Sequence, residues 1–263
     1  MYRLPVSYRH LGHIHICTDK RHPSGSSTWI IRHAYLDDPV TRVEGVQVTY
    51  LVQTVVHCMR TLPFPDALAL ADALLRKLKI ERQLLEEMVT ELARGMPGYR
   101  HALNVASYAG GRAESGGESI ARGKMIEANL MPSDLQFAVP DPHDEKDTFR
   151  VDIVFKMHGG SLVFVEVDGR EKYTNPKMLG TKSTNDALIA ERNRESRLSA
   201  LGIPIVRFTM QEIWTPGVIE ARLAVVGITP DTLAPGDYRD TAQQPPRPED
   251  YVASLNQPKP HLT

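Results

Sequence analysis

The sequence predicts a mixed α/β chain of the α+β kind, with a small β-rich and helical region followed by a mixed sheet flanked by helices. Three observations predict it. Short alternating strands occupy residues 13–50 and recur at 134–168. A block with helical spacing, residues 51–94, lies between them. A helix and a buried strand, residues 185–208, then follow the second set of strands, and that step calls for a parallel crossover.

In the first region, HIHICT at 13–18 alternates, TWIIRH at 28–33 is β-rich, and GVQVTY at 45–50 alternates again. RHPSGSS between the first two reads as a loop. Residues 51–62 have helical spacing, with Thr49 a candidate cap. Residues 65–78 open on Pro65, suited to a first helical turn. Residues 80–94 place Ile80, Leu84, Leu85, Met88 and Leu92 on one face and stop at Gly95. A short helix is expected over 99–109, ended by Gly110 and Gly111.

The second region opens on a helix starting near Ser115 or Gly117, with Ile120, Met125 and Ile126 facing inward. Three strands follow, DLQFAVPD, TFRVDIVFKM and SLVFVEVD, and Gly159-Gly160 supplies the turn between the last two. Residues 169–184 read as a polar loop, 185–202 as a helix, 203–208 as a buried strand, and 209–226 as helix interrupted at Pro216. The expected division is 1–110, 111–228 and a tail, 229–263, which holds seven prolines and few aliphatic clusters.

Composition narrows the function classes. Of 263 residues, 41% are hydrophobic and 24% charged, which suits a globular core. A net charge of −1 neither requires nor excludes a nucleic-acid partner, because local patches decide contact electrostatics. Two cysteines far apart in sequence, Cys17 and Cys58, form no disulfide framework and no CxxC metal site. The N-terminus lacks the apolar core of a signal peptide, and no apolar run reaches membrane length, so a cytoplasmic protein with no membrane partner is expected.

Residues 151–169, VDIVFKMHGGSLVFVEVDG, carry the chemistry. Asp152, Glu166 and Asp168 fall on two strands of one hairpin, where carboxylates are normally depleted. Glu166 and Asp168, at i and i+2, share a face. A three-residue loop places Asp152 directly opposite Glu166, and a two-residue loop makes them diagonal neighbours. Such a cluster repels itself unless a cation sits there. Arginine pairing is one answer, and a hard divalent cation is the other. Glu118, on the preceding helix, is a further carboxylate candidate.

Between Gly169 and Arg207 there are eight Lys or Arg against four Asp or Glu. Arg170, Lys172, Lys177 and Lys182 lie in or near the loop, and Arg192, Arg194 and Arg197 on the helix. These can contact phosphates without reading sequence, or can equally form a solvated, intrahelically paired face.

Taken in order, Glu118, Asp152 in VDIVF, Glu166-Val167-Asp168-Gly169, then Glu191, Arg194, Leu198, Gly202 and Ile205-Val206-Arg207-Phe208 resemble the PD-(D/E)XK nuclease superfamily. The similarity is nearest to its very-short-patch-repair endonuclease branch and covers residues 114–213. It implies a restriction-endonuclease-like sheet and a metal-dependent DNA endonuclease hydrolysing phosphodiester bonds. Asp152, Glu166 and Asp168 would hold Mg2+ (or Mn2+), with Glu118 and Lys172 joining the catalytic set. Arg170, Lys172, Arg192 and Arg194 would contact DNA. Two departures stand out. The superfamily's E-x-K is E-x-D, as in the repair-like branch, and the branch's histidine position is Lys172. A lysine can hold a phosphate but is not an equivalent acid–base group near neutral pH.

Residues 45–76 also resemble the region found in AbiEi-type antitoxin proteins. That likeness implies an alternative: a non-catalytic antitoxin or regulator-like module with a cognate toxin as partner. His13 and His15, with His10 nearby, could pair on a metal, but no Cys or carboxylate sits close in sequence to complete a site, and an ordinary surface strand is the preferred reading.

Overall fold

The computed structural model describes residues 2–18, 27–34, 39–141, 144–168, 197–198 and 200–239. The chain is mixed α/β and divides into two compact units, Met1–Gly111 and Arg112–Thr263.

In the first unit a 3-10 turn, Tyr8–His10, precedes β1 (Ile14–Thr18), which pairs parallel with β2 (Ile30–Ala34). A hairpin not singled out in the sequence follows, β3 (Val40–Val43) with β4 (Val46–Thr49). Its turn residues Glu44 and Gly45 both have positive φ, 53° and 83°. A tight two-residue turn between twisted strands requires that combination.

Four helices follow among the described residues of this unit: α1 (Leu51–Thr61), α2 (Phe64–Leu78), α3 (Arg82–Ala93) and α4 (Tyr99–Tyr108). Every residue of α2 from Phe64 to Leu75 is buried, so this helix is the centre of the unit. Alanines at 67, 69, 71 and 73 let its neighbours approach closely. Val55 and Met59 of α1, Leu85 and Val89 of α3, and Ala102 and Val105 of α4 are fully buried. Two α2 carboxylates are buried with partners: Asp72 accepts the Gly110 amide at 2.8 Å, and Asp66 pairs with His10 at 3.1 Å. The cap of α1 is Tyr50 and not Thr49, whose hydroxyl is bonded instead to that of Thr54 at 2.7 Å.

The second unit opens with α5 (Gly116–Glu127), capped by Ser115, whose Oγ accepts the Glu118 amide. A four-stranded sheet follows in the order β5 (Asp134–Asp141), β6 (Asp144–Lys156), β7 (Leu162–Asp168), β8 (Ile205–Thr209). The first three strands are antiparallel, and β8 joins β7 in parallel, as a crossover requires. Two short helices follow β8 among the described residues, α6 (Met210–Trp214) and α7 (Val218–Val225). Phe137, Val139, Phe149, Val151, Val154, Phe164 and Leu198 form one apolar core, with Leu162, Leu201, Ile203 and Ile205 packed against it. Of the expected helix over 185–202, Arg197 and Leu198 are helical, residues 200–202 are turn, and residues 185–196 and 199 lie outside the described residues.

The stretch expected to begin an extended tail with little core of its own is docked through its first ten residues. Leu233 bridges to Met157, the Ala234 amide donates to Lys156 O, and the Tyr238 amide donates to Pro132 O. Tyr238 is buried beneath the Arg122 guanidinium, 4.5 Å from its ring centroid, and Arg112 donates to its carbonyl at 2.7 Å.

Candidate functional site

The β6–β7 hairpin turns over residues 158–160, with Lys156 opposite Leu162 and Ile153 opposite Val165. Continuing that register by one step sets Asp152 opposite Glu166, the first of the two arrangements the sequence allowed. On the other side of β6, the pairs Leu135–Ile153 and Phe137–Val151 set Gln136 opposite Asp152. On the other side of β7, Glu166 is opposite Arg207. One line across all four strands therefore reads Gln136, Asp152, Glu166, Arg207.

The contacts follow this line. Asp152 Oδ2 accepts the Val167 amide at 2.9 Å, just past the last β6–β7 backbone pair, so a carboxylate replaces a main-chain acceptor where the ladder stops. Gln136 Nε2 donates to Glu118 Oε2 at 2.8 Å and makes a longer contact, 3.4 Å, with Asp152 Oδ1. Glu118 Oε2 also accepts the Glu114 amide at 2.8 Å, just ahead of the Ser115 cap, so this residue ties the chain entering α5 to the sheet through Gln136. Glu166 is buried, and its Oε2 lies 2.9 Å from Arg207 Nη2.

Of the expected site residues, Asp152 and Glu166 are brought together by register, and Glu118 joins them through Gln136. Asp168 is exposed at the end of β7, opposite Thr209. Arg170, Lys172, Arg192 and Arg194 lie outside the described residues. Among the described residues no three of His, Cys, Asp or Glu gather as a ready-made metal cage. Two carboxylates on adjacent strands suit a hard cation that keeps most of its waters, as Mg2+ does. Arg207 already neutralises one of them.

Sequence reasoning missed two members of the line. Gln136 is a polar residue inside DLQFAVPD, and Arg207 was one cation among eight. The signal available for each was a polar side chain interrupting a buried strand.

In the first unit His15 pairs not with His13 but with His33, across β1 and β2. The two ring nitrogens are 2.8 Å apart and the rings stack with centroids 5.1 Å apart. Both imidazoles titrate below the usual histidine range, first because burial disfavours the charged form, then because of neighbouring cations.

The fold and this line of side chains define a mixed α/β protein with a carboxylate–guanidinium cluster on its four-stranded sheet. No family model matches the chain, and no solved structure matches it. Two uncharacterized proteins of Mycobacterium tuberculosis, from strains CDC 1551 / Oshkosh and ATCC 25618 / H37Rv, are each 30% identical to it over 193 residues. The match covers 73% of this chain and 66% of each relative, just under two thirds of the relatives' own length. Among the described residues no helix is long and apolar enough to cross a membrane.

Proposed function

We propose that the second unit is a PD-(D/E)XK-type, metal-dependent DNA endonuclease domain of a cytoplasmic protein. The observation that carries this reading is the alignment of Asp152 with Glu166 across the β6–β7 hairpin, with Glu118 tied in through Gln136. Asp152 and Glu166 hold Mg2+ or Mn2+, with Asp168 nearby on β7. The bound ion supplies charge stabilisation at a phosphate and lowers the pKa of a water. Arg207 is set beside Glu166 and has a guanidinium suited to a phosphodiester oxygen. Arg170, Lys172, Arg192 and Arg194 supply phosphate contacts and Lys172 a proton-handling group, in keeping with the resemblance of the sequence.

The experiment is incubation of the full chain with supercoiled plasmid and Mg2+ or Mn2+, beside Asp152→Ala. Metal-dependent nicking by the wild type, lost in the variant, is the expected result. No cleavage, with no metal uptake by calorimetry, overturns the reading.

One observation favours a second reading. Glu166 already has a cation in Arg207, and a metal ion must compete with it. A domain that keeps this pair permanently is a non-catalytic module of the antitoxin or regulator kind, binding DNA or a toxin protein. It would show DNA or protein binding that is indifferent to Asp152→Ala and to added metal.

A further inference from the structure

The first 34 residues differ in charge from the rest of the chain. They hold five Lys or Arg and five His against one Asp and no Glu, in a chain whose net charge is −1. Arg3 and Arg9 are exposed, and Arg32 is half-buried on β2. Asp66, which pairs with His10, is buried on α2 and offers no exposed carboxylate. The His15 imidazole responds to the same excess. After burial, His13 and His10 push it further below the usual range, as like charges do. A surface of this composition carries a positive potential and attracts polyanions.

Flat rings stand in the same place. Trp29 is 70% exposed at the head of β2, and its carbonyl accepts the Ile14 amide at 2.8 Å. His13, also exposed, immediately precedes Ile14, the partner of Ile30. His15 and His33 follow as a stacked pair across the two strands. Leu11 and Ile14, 61% and 64% exposed, add apolar surface at the same end of the ribbon. A large ring left in water contributes little to folding, so an exposed group of this kind points to a partner. Apolar protein surfaces would answer the rings and not the cations. An unpaired base flanked by phosphates answers both, because rings stack on its face and basic groups neutralise its backbone. Duplex DNA hides those faces within its own stack.

We propose that the β1–β2 ribbon of the first unit is a binding surface for single-stranded DNA, with Trp29 stacking on a base and Arg9 contacting a phosphate. The surface is independent of the metal-binding reading. Only the choice of DNA over RNA rests on the reading of the second unit.

The full chain is titrated in EDTA against fluorescein-labelled oligothymidine and followed by anisotropy, so metal-dependent cleavage plays no part. Duplex DNA of equal length, oligouridine and phosphatidylserine vesicles are titrated beside it. Trp29→Leu keeps apolar bulk and removes the ring, Trp29→Phe keeps a ring, and Arg9→Gln removes a charge at an exposed position. The expected result is tightest binding to oligothymidine, at least fivefold weaker in Trp29→Leu and near wild type in Trp29→Phe. In Arg9→Gln the slope of log affinity against log salt should be shallower by about 0.7. No binding by the wild type, wild-type affinity in Trp29→Leu, or an unchanged slope in Arg9→Gln overturns the proposal. Tighter binding to the duplex, to oligouridine or to the vesicles overturns it in favour of that partner. Plasmid nicking can succeed or fail without altering any of these outcomes.

Discussion

Glu166 and Arg207 stand side by side on parallel strands, with the guanidinium nitrogen 2.9 Å from the carboxylate oxygen. Their side chains are only 8% and 26% exposed, so each would be left largely desolvated if the other were removed. Arg207→Met is expected to cost roughly 2–3 kcal/mol in a urea unfolding experiment, below the full penalty for a deeply buried pair because Arg207 retains some solvent. Adding Glu166→Gln should recover much of that loss. The coupling measured by the double-mutant cycle is the readout, and additive effects would mean that the pair is not energetically joined.

Gly98 and Gly95 make a matched comparison in the first unit. Both have φ near +80°, so alanine is strained at either. Their surroundings differ: a Cβ at Gly95 meets open space, whereas one at Gly98 would fall on the Arg60 carbonyl oxygen. That carbonyl is main chain and cannot swing aside, and the Arg60 side chain is itself bonded to Pro97 O at 2.8 Å. Gly95→Ala should cost about 1 kcal/mol, the conformational term alone. Gly98→Ala should cost clearly more, roughly 3 kcal/mol, because overpacking against backbone adds to it. Equal melting temperatures for the two variants would refute this assignment.

How far the sequence could be read is shown by the same elements. In the second unit β5 and β8 follow from period-2 alternation, because one side of each faces a core, whereas β7 reads as a continuous apolar run because it is buried on both faces. The hairpin register was readable to two alternatives, since Gly159-Gly160 marks the turn but not its length. The partner of Glu166 was not readable, because it arrives from a strand some forty residues later in the chain. Gln136 was hidden for another reason: a left-handed residue inside a strand runs against local propensity, so pattern reading passes over it. β3 escaped because VTRV is short and half exposed. The docking of Tyr238 escaped because a single aromatic among prolines carries no periodicity.

The two cysteines should differ sharply toward alkylating reagents. Cys17 is exposed, while burial pushes the Cys58 thiol up to about 11. Thiolate is the reactive form, so at pH 8 Cys58 presents only about a thousandth of itself as nucleophile. Native protein treated with Ellman's reagent at pH 8 should release one equivalent promptly, and a second only on addition of denaturant. Cys17→Ser should remove the fast equivalent. Two fast equivalents from native protein would contradict the packing of α1.

The His15–His33 pair predicts how the first unit responds to acid. Both imidazoles are held below their ordinary value, by burial first and then by surrounding charge: His13 and His10 around His15, and His15, His57 and Arg60 around His33. A lowered value means that the folded state prefers the neutral form. The unfolded chain takes up protons near pH 6.5, before the folded chain does, so acid pulls the equilibrium toward unfolding. The stabilising contribution is therefore complete above about pH 6.5 and is lost as the pH falls through the depressed folded values. Urea midpoints at pH 7.5, 6.5 and 5.0 should decline more steeply for the wild type than for His15→Gln/His33→Gln, which has no imidazoles at this position. The carboxylates common to both proteins cancel in that difference. Parallel declines would show that the two rings are not titrating as a neutral, hydrogen-bonded pair.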